Sequence, residues 1–347
     1  MFEVFFCGII LMLVATPVVI KVAKIKHLVD VPDRKRKVHV YSTPTIGGVS
    51  IFACFLITFC LFAPVTDVNT GNEFRYLICC LLILFYVGLK DDITGLSALK
   101  KLIAHLIVGY ILVYLADIRI VSMGGIFGLH QLPDIVSYSL SIFTYIVIIN
   151  SMNLIDGIDG LAAGIGCLAS LFFAFYFYQC GDLFWTTLAI SLAGALSGFL
   201  VFNFSPAKIF MGDSGSLVIG FVLAILAMKL INYPTQPDWE FLRPVSKPVL
   251  AMSILSYPLI DTLRVFAIRA LNGVSPFSPD KNHVHHILID DNKRRHGPVA
   301  VILYGYCIAV ILLNLVWDQL PVTWYFVAML FSAALLLQAL VWIKRLR

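Results

Sequence analysis

Runs of about twenty apolar residues recur along almost the whole chain, each closed by a charged or Pro/Gly-rich break, and no other feature restricts the possible folds so strongly. A hydrocarbon layer about 30 Å thick is crossed by about 20 helical residues, and a backbone inside it must satisfy its own polar groups. Such runs therefore predict an all-α polytopic membrane protein. Division at the breaks gives about eleven spans, near residues 2–22, 47–64, 74–90, 99–119, 134–152, 161–180, 183–203, 214–231, 247–270, 298–317 and 321–343. With 13% charged residues and a mean hydropathy of +0.93, no stretch remains for a separate soluble unit, so residues 1–347 read as one integral membrane domain. Secreted, nucleic-acid-binding and disordered classes drop out. The eight cysteines lie in apolar runs without a C-x-x-C pair, which argues against a disulfide framework or a zinc site. Glu3 is the only early charge and no basic segment precedes the first run, so it reads as a retained helix rather than a cleaved signal.

Basic residues fix the expected orientation. Loops on alternate sides collect 20 of the 25 lysines and arginines on one side, leaving Arg75, Arg119, Lys229, Arg243 and Lys247 on the other. This places the N-terminus outside and the C-terminus in the cytoplasm. The inner side also holds eleven aspartates and no glutamate, whereas Glu3, Glu73 and Glu240 are all outside. Anionic head groups account for the positive inner face but not for the aspartates. Short carboxylates at several helix ends suit a hard cation such as Mg²⁺ together with a polyphosphate ligand.

Four inner segments, near 91–98, 150–160, 203–216 and 272–297, concentrate polar residues. Asp91 and Asp92 end the third span, where adjacent carboxylates oppose the helix dipole and each other unless a cation offsets them. Asn150, Asn153, Asp156 and Asp159 cluster after the fifth span. A helical spacing would put Asp156 and Asp159 on one face, and Gly157 and Gly160 permit close approach. Met211 to Ser216 has the small residues of a phosphate-binding helix start, where Asp213 serves either as a simple N-cap or as a metal ligand. His283, His285 and His286 follow a Pro/Ser-rich turn, and their spacing matches no zinc signature, so contact with phosphate or sugar is favoured over metal ligation. Asp261 lies within the ninth span, with Arg264 as its expected partner at i+3. Aspartates, asparagines, lysines and histidines on one face of a lipid-soluble bundle suit phosphoryl transfer between a nucleotide and a lipid phosphate.

Asp91-Asp92, Asn153 to Leu161, Phe210 to Ser216, and Ser275 to Asp280 followed by His283 to His286 resemble, in order and side, the polyprenyl-phosphate N-acetylhexosamine-1-phosphate transferases, glycosyltransferase family 4. The last run is most similar to the undecaprenyl-phosphate N-acetylglucosaminyl-1-phosphate transferase branch. The resemblance covers roughly residues 20–300. It implies transfer of N-acetylglucosamine-1-phosphate from a UDP-N-acetylhexosamine to undecaprenyl phosphate with release of UMP, the first membrane step of a cell-envelope glycan pathway. It further implies a bacterial inner membrane, a cytoplasmic site, and Mg²⁺ with Mn²⁺ as a substitute; a homodimer is admissible. Asp91 and Asp92 match the catalytic acid pair, and Asn153 and Asp213 the metal positions. Asp156 and Asp159 match acidic positions near nucleotide or metal, and the three histidines match the motif that holds the nucleotide-sugar. One departure stands out: Ile93-Thr94-Gly95-Leu96 follows the Asp pair, where many relatives carry a further acid or a lysine.

Two chemical routes fit these residues. In one, the lipid phosphate attacks directly and Asp91 or Asp92 takes any remaining proton; in the other, an aspartate is the nucleophile and becomes phosphorylated. Other readings of the chain are a phospho-N-acetylmuramoyl-pentapeptide transferase of the same superfamily and an ion-coupled transporter. A transporter would place polar residues near the midplane of several spans, where only Asp261 is a candidate. A CDP-alcohol phosphotransferase would need an Ala-Arg pair after Asp-Gly, which neither Asp156-Gly157 nor Asp159-Gly160 has.

Overall fold

The computed structural model describes residues 1–30, 43–239, 245–273, 282–289, 296–317 and 319–345. Within them the apolar runs become helices α1 (Phe2–Ile25), α2 (Gly47–Phe62), α3 (Val68–Thr94), α4 (Ala98–Tyr110), α5 (Asp134–Leu154), α6 (Leu161–Gln179), α7 (Leu183–Asn203) and α8 (Asp213–Asn232). Then follow α9 (Lys247–Ile254), α10 (Ser256–Leu271), α11 (Val284–Leu288), α12 (His296–Trp317) and α13 (Val322–Arg345). A π-helical turn, Ile111–Leu115, prolongs α4. Two-residue strands β1 (Val29–Asp30) and β2 (Thr43–Pro44) pair antiparallel. The fold is thus an all-α polytopic membrane bundle.

Eight helices among the described residues are long and apolar enough to cross a membrane, and a ninth crossing results if α9 and α10 are taken together. The other two expected spans fall on α2, which has 16 residues, and on α3, which has 27 and carries a polar start and an acidic end. The run at 247–270 is not one rod. It bends by 80° between α9 and α10. Pro258 explains the break, because it lacks the N–H that a continuous helix would donate to the carbonyl of Ile254.

The bundle is built around α8. Of its apolar window 89% is buried, against 78% for α7, 72% for α6 and 22% for α1 and α13, which form the lipid-facing rim. Helix ends are held by side chains: Asp67 accepts from Thr70 N at the start of α3, and Asp182 from Phe184 N and Trp185 N at the start of α7. One end of the bundle is closed by ion pairs. Arg119 bridges Asp117 and Asp134, and Lys229 joins α8 to Glu73 of α3. The opposite end of α8 carries the polar segments singled out in the sequence.

Candidate active site

Helix α8 begins deep between two glycines. A Cβ on Gly88 of α3 would lie 2.6 Å from Ser214 Cα, and one on Gly48 of α2 would lie 2.1 Å from Gly215 N. This approach brings the last turn of α3 onto the first turn of α8. Asp92 Oδ1 accepts from Asp213 N at 2.7 Å, and its Oδ2 accepts from Ser214 N at 3.0 Å and Ser214 Oγ at 2.6 Å. The start of α8 is therefore capped by a carboxylate from another helix, and Asp213 is its first helical residue rather than its own cap. Asp91 points the other way. Its Oδ1 accepts from Leu96 N at 2.6 Å, and its Oδ2 lies 2.6 Å from Lys101 Nζ. Lys101, in the first turn of α4, also reaches Asp213 Oδ2 at 2.7 Å, so one ammonium bridges carboxylates of α3 and α8. Asn153, near the end of α5, donates through Nδ2 to Asp213 Oδ1 and to Ser216 Oγ, both at 2.9 Å.

The loop after α5 separates its two aspartates. Asp156 stands toward the cluster: removal from water, then the charges of Asp213 and Asp92, raise its pKa well above the ordinary carboxylate range, and a hydrogen bond from Gly212 N only partly counters this. Burial is also the main cause of the raised values of Asp91 and Asp92. Asp159 is 5% exposed and faces the scaffold. It accepts from Ala207 N at 3.1 Å and lies 3.2 Å from His296 Nδ1. Next to it, Gly160 N donates to Asn203 Oδ1 and Tyr304 Oη donates to Gly160 O. Asp156 and Asp159 thus do not share a face.

The histidines form a compact group. The rings of His285 and His286 are 4.3 Å apart and those of His283 and His285 are 5.5 Å apart. His285 is fully buried, and this together with the neighbouring histidines keeps its pKa well below the usual value. Asp261 pairs with this group and not with Arg264. Its carboxylate accepts from His283 Nδ1 at 2.8 Å and Val284 N at 2.9 Å, whereas Arg264 donates to Asn282 O. The partner at i+3 loses because Asp261 is wholly buried and the His283 ring and the first amide of α11 are presented to it there. The Ser275 to Asp280 run lies outside the described residues.

Four aspartates of three segments, 91, 92, 156 and 213, thus gather at the start of α8, where Lys101 bridges two of them, Asp91 and Asp213, and negative charge is in excess in a partly dry site. Their hard oxygen donors and the side-chain amide of Asn153 suit Mg²⁺. Among the described residues no group of three His, Cys, Asp or Glu side chains could hold a metal by itself. Sequence reasoning missed Lys101, which counted only toward orientation because nothing in Lys100-Lys101 distinguishes a bridging lysine from an interfacial one. It missed His296 for the same reason.

Comparison with known proteins supplies the remaining evidence. Residues 74–231 match glycosyl transferase family 4. The chain is 32% identical over 289 residues to the decaprenyl-phosphate N-acetylglucosaminephosphotransferase of Mycobacterium tuberculosis, covering 78% of this chain and 71% of that one. It is 31% identical over 281 residues to the undecaprenyl-phosphate alpha-N-acetylglucosaminyl 1-phosphate transferase of Escherichia coli, with coverage of 78% and 71%. A third relative, the decaprenyl-phosphate enzyme of Mycobacterium leprae, is 32% identical over 292 residues, with coverage of 78% and 72%. The matched family segment runs from near the start of α3 to the end of α8, the helices that carry Asp91, Asp92, Lys101, Asn153 and Asp213, and the chain belongs to glycosyl transferase family 4.

Proposed function

We propose that the protein transfers N-acetylglucosamine-1-phosphate from UDP-N-acetylglucosamine to undecaprenyl phosphate, giving undecaprenyl-diphospho-N-acetylglucosamine and UMP, at the cytoplasmic face of a bacterial inner membrane. The observation that carries this reading is the Lys101 bridge between Asp91 and Asp213 at one end of an apolar bundle, with the Asp156 loop and Asn153 close by. The location is read from the sequence, whose eleven apolar runs and 20 basic residues on the side of the motifs favour an outside N-terminus and a cytoplasmic site. The names of the relatives support transfer to a polyprenyl phosphate, and the His-containing run favours the N-acetylglucosaminyl branch over the pentapeptide one.

An oxygen of the lipid phosphate attacks the β-phosphorus, the bond from that phosphorus to the bridging oxygen breaks, and UMP leaves. Lys101 offsets charge on the reacting phosphates. Asp91 holds Lys101 and takes any proton remaining on the lipid phosphate; its raised pKa suits that task. Asp92 holds the start of α8 so that Asp213 faces the site. Asp213 and Asp156, with the amide of Asn153, would hold Mg²⁺, which when bound neutralises diphosphate charge. Direct displacement is favoured over a phospho-enzyme because a lipid phosphate with a second pKa of about 6 is mostly ionised near neutral pH and can attack without a covalent intermediate. Of the three histidines, the half-buried His286 contacts the nucleotide-sugar, and the buried His283 and His285 support it from behind.

The test is UMP release by the purified protein in detergent with undecaprenyl phosphate and Mg²⁺, comparing UDP-N-acetylglucosamine, UDP-N-acetylgalactosamine and UDP-N-acetylmuramoyl-pentapeptide. Lipid- and Mg²⁺-dependent release with UDP-N-acetylglucosamine, abolished in Asp213→Ala, is expected. Release with the pentapeptide nucleotide alone would refute the assigned donor, and no release with any donor would refute the reaction.

A further inference from the structure

We infer that Asp261 is a positioning residue, which seats the histidine cluster against the loop of Asp156; the inference rests on the proposed transferase reading. Asp261 lies in α10, just beyond the 80° break, and is fully buried. A carboxylate at such a site persists only with dedicated donors. Both of its donors belong to one short segment of the chain. Val284 N is the first amide of α11, and His283 is the residue before it, so Asp261 caps α11 from another helix. The bond from His283 Nδ1 also fixes the ring: Nδ1 carries the proton donated to Asp261, which leaves Nε2 as the nitrogen for any other partner.

Helix α10 grips α11 at a second point. Tyr257 precedes Asp261 by four residues, on the same face, and its hydroxyl lies 3.1 Å from His285 Nδ1. What the two grips hold in place is visible at Gly157. A Cβ there would lie 2.6 Å from His285 Nε2 and 3.3 Å from His286 Nε2, so both imidazole edges rest on the backbone next to Asp156. Among the described residues, the buried Nε2 of His285 has no hydrogen-bond partner. Asp261 and Tyr257 therefore set the distance between the histidines and the acidic loop while remaining, at 0% exposure, out of reach of a ligand. This assigns the intramembrane carboxylate a task in nucleotide-sugar binding rather than in ion relay or in a helix-surface ion pair.

The test uses the full-length protein in detergent and compares wild type with Asp261→Asn, His283→Asn and the double variant. Melting temperature is measured, with kcat and separate KM values for UDP-N-acetylglucosamine and undecaprenyl phosphate. Asn keeps the size of Asp and one acceptor but also offers a donor to Nδ1, which selects the other tautomer. The expected result is a KM for the nucleotide-sugar raised about tenfold or more, an unchanged KM for the lipid, and a double variant no worse than the worse single one. Wild-type constants in Asp261→Asn, additive losses in the double variant, or equal rises in both KM values would each overturn the inference. Should Asp261→Asn fail to fold, Asp261→Glu, which keeps a carboxylate but shifts α11, is expected to raise the nucleotide-sugar KM alone; unchanged constants there overturn it too. If wild type releases no UMP with any donor, the transferase reading fails and the inference falls with it. A wild-type enzyme that works while its Asp261 variants match it refutes the inference alone.

Discussion

Replacing Gly88 with Ala is the most direct probe of how the site is assembled. The added methyl would start 2.6 Å from Ser214 Cα and 2.7 Å from Ser214 N, both backbone atoms that cannot swing aside. Restoring contact at about 3.4 Å requires α3 and α8 to part by about 0.8 Å. Asp92 lies one helical turn beyond Gly88, on the same face, so its 2.7 Å bond to Asp213 N would stretch to about 3.5 Å, the limit for a hydrogen bond. Overpacking of this kind costs about 1–3 kcal/mol, and a shift of about 1 Å in a catalytic group costs about 100-fold in rate. The expected outcome of Gly88→Ala is thus a folded protein with a lowered melting temperature and UMP release reduced about 100-fold. Gly71→Ala is the control on the same helix, where the new methyl meets only a Val65 side chain at 3.5 Å and helix propensity improves. Gly88→Ala with wild-type turnover would refute the claim that close packing of α3 on α8 sets the geometry of Asp213.

Lys101→Met, which keeps the stem and removes the ammonium, is expected to lower kcat at least about 100-fold in the UMP assay, since Asp91 and Asp213 then face each other without a bridge; a loss under about threefold would show the bridge to be ornamental. The two aspartates of the Asn-rich loop should separate in melting experiments: Asp156→Asn loses activity while the metal-free protein melts no lower than wild type, whereas Asp159→Ala destabilises by about 1–3 kcal/mol by leaving the buried Ala207 amide without its acceptor. Stability should also depend on pH. Asp91, Asp92 and Asp156 all have folded-state pKa values above that of an unfolded Asp, about 3.9, so the metal-free folded state binds more protons, and its stability is full below that pH and is lost as pH rises through the raised values. In EDTA the melting temperature should fall as pH rises above about 4 and Mg²⁺ should flatten that slope; an equal slope with and without Mg²⁺ would argue against metal at these carboxylates. Incubation with UDP-sugar labelled at the β-phosphate, without lipid, should leave no label on Asp91 or Asp92, and a labelled aspartate would replace direct displacement with a phospho-enzyme route.

The helices were legible in the sequence because hydropathy over twenty residues reports the solvent around a segment, and lipid leaves few alternatives. The break between α9 and α10 was not read, although Pro258 marks it, because an apolar run conceals a bend that costs a single hydrogen bond. In the site, Asp91, Asp92, Asn153, Asp156 and Asp213 were all singled out from clustered polarity at helix ends, and the structure brings them together. Proximity in sequence did not reveal which way each side chain faces. Asp156 and Asp159 looked alike and differ because the chain leaves helical geometry after Leu154, so residues three apart no longer share a face. Asp261 was assigned a neighbour at helical spacing, and its partner came instead from 22 residues away. Lys101 had no local signal at all, since its meaning lies in α3 and α8.

The cap that Asp92 places on α8 bears on how the protein is made as well as on how it works. Helix α3 leaves the ribosome well before α8, and the first amides of α8 have their acceptor only when α3 already stands beside them. An α8 that arrived without it would bring bare N–H groups toward a membrane, where unsatisfied backbone is costly. Selection therefore acts on Asp92 twice, once through the abundance of correctly inserted protein and once through turnover. A cell-based screen that scores only growth would merge these two pressures into one and credit to chemistry what belongs to biogenesis.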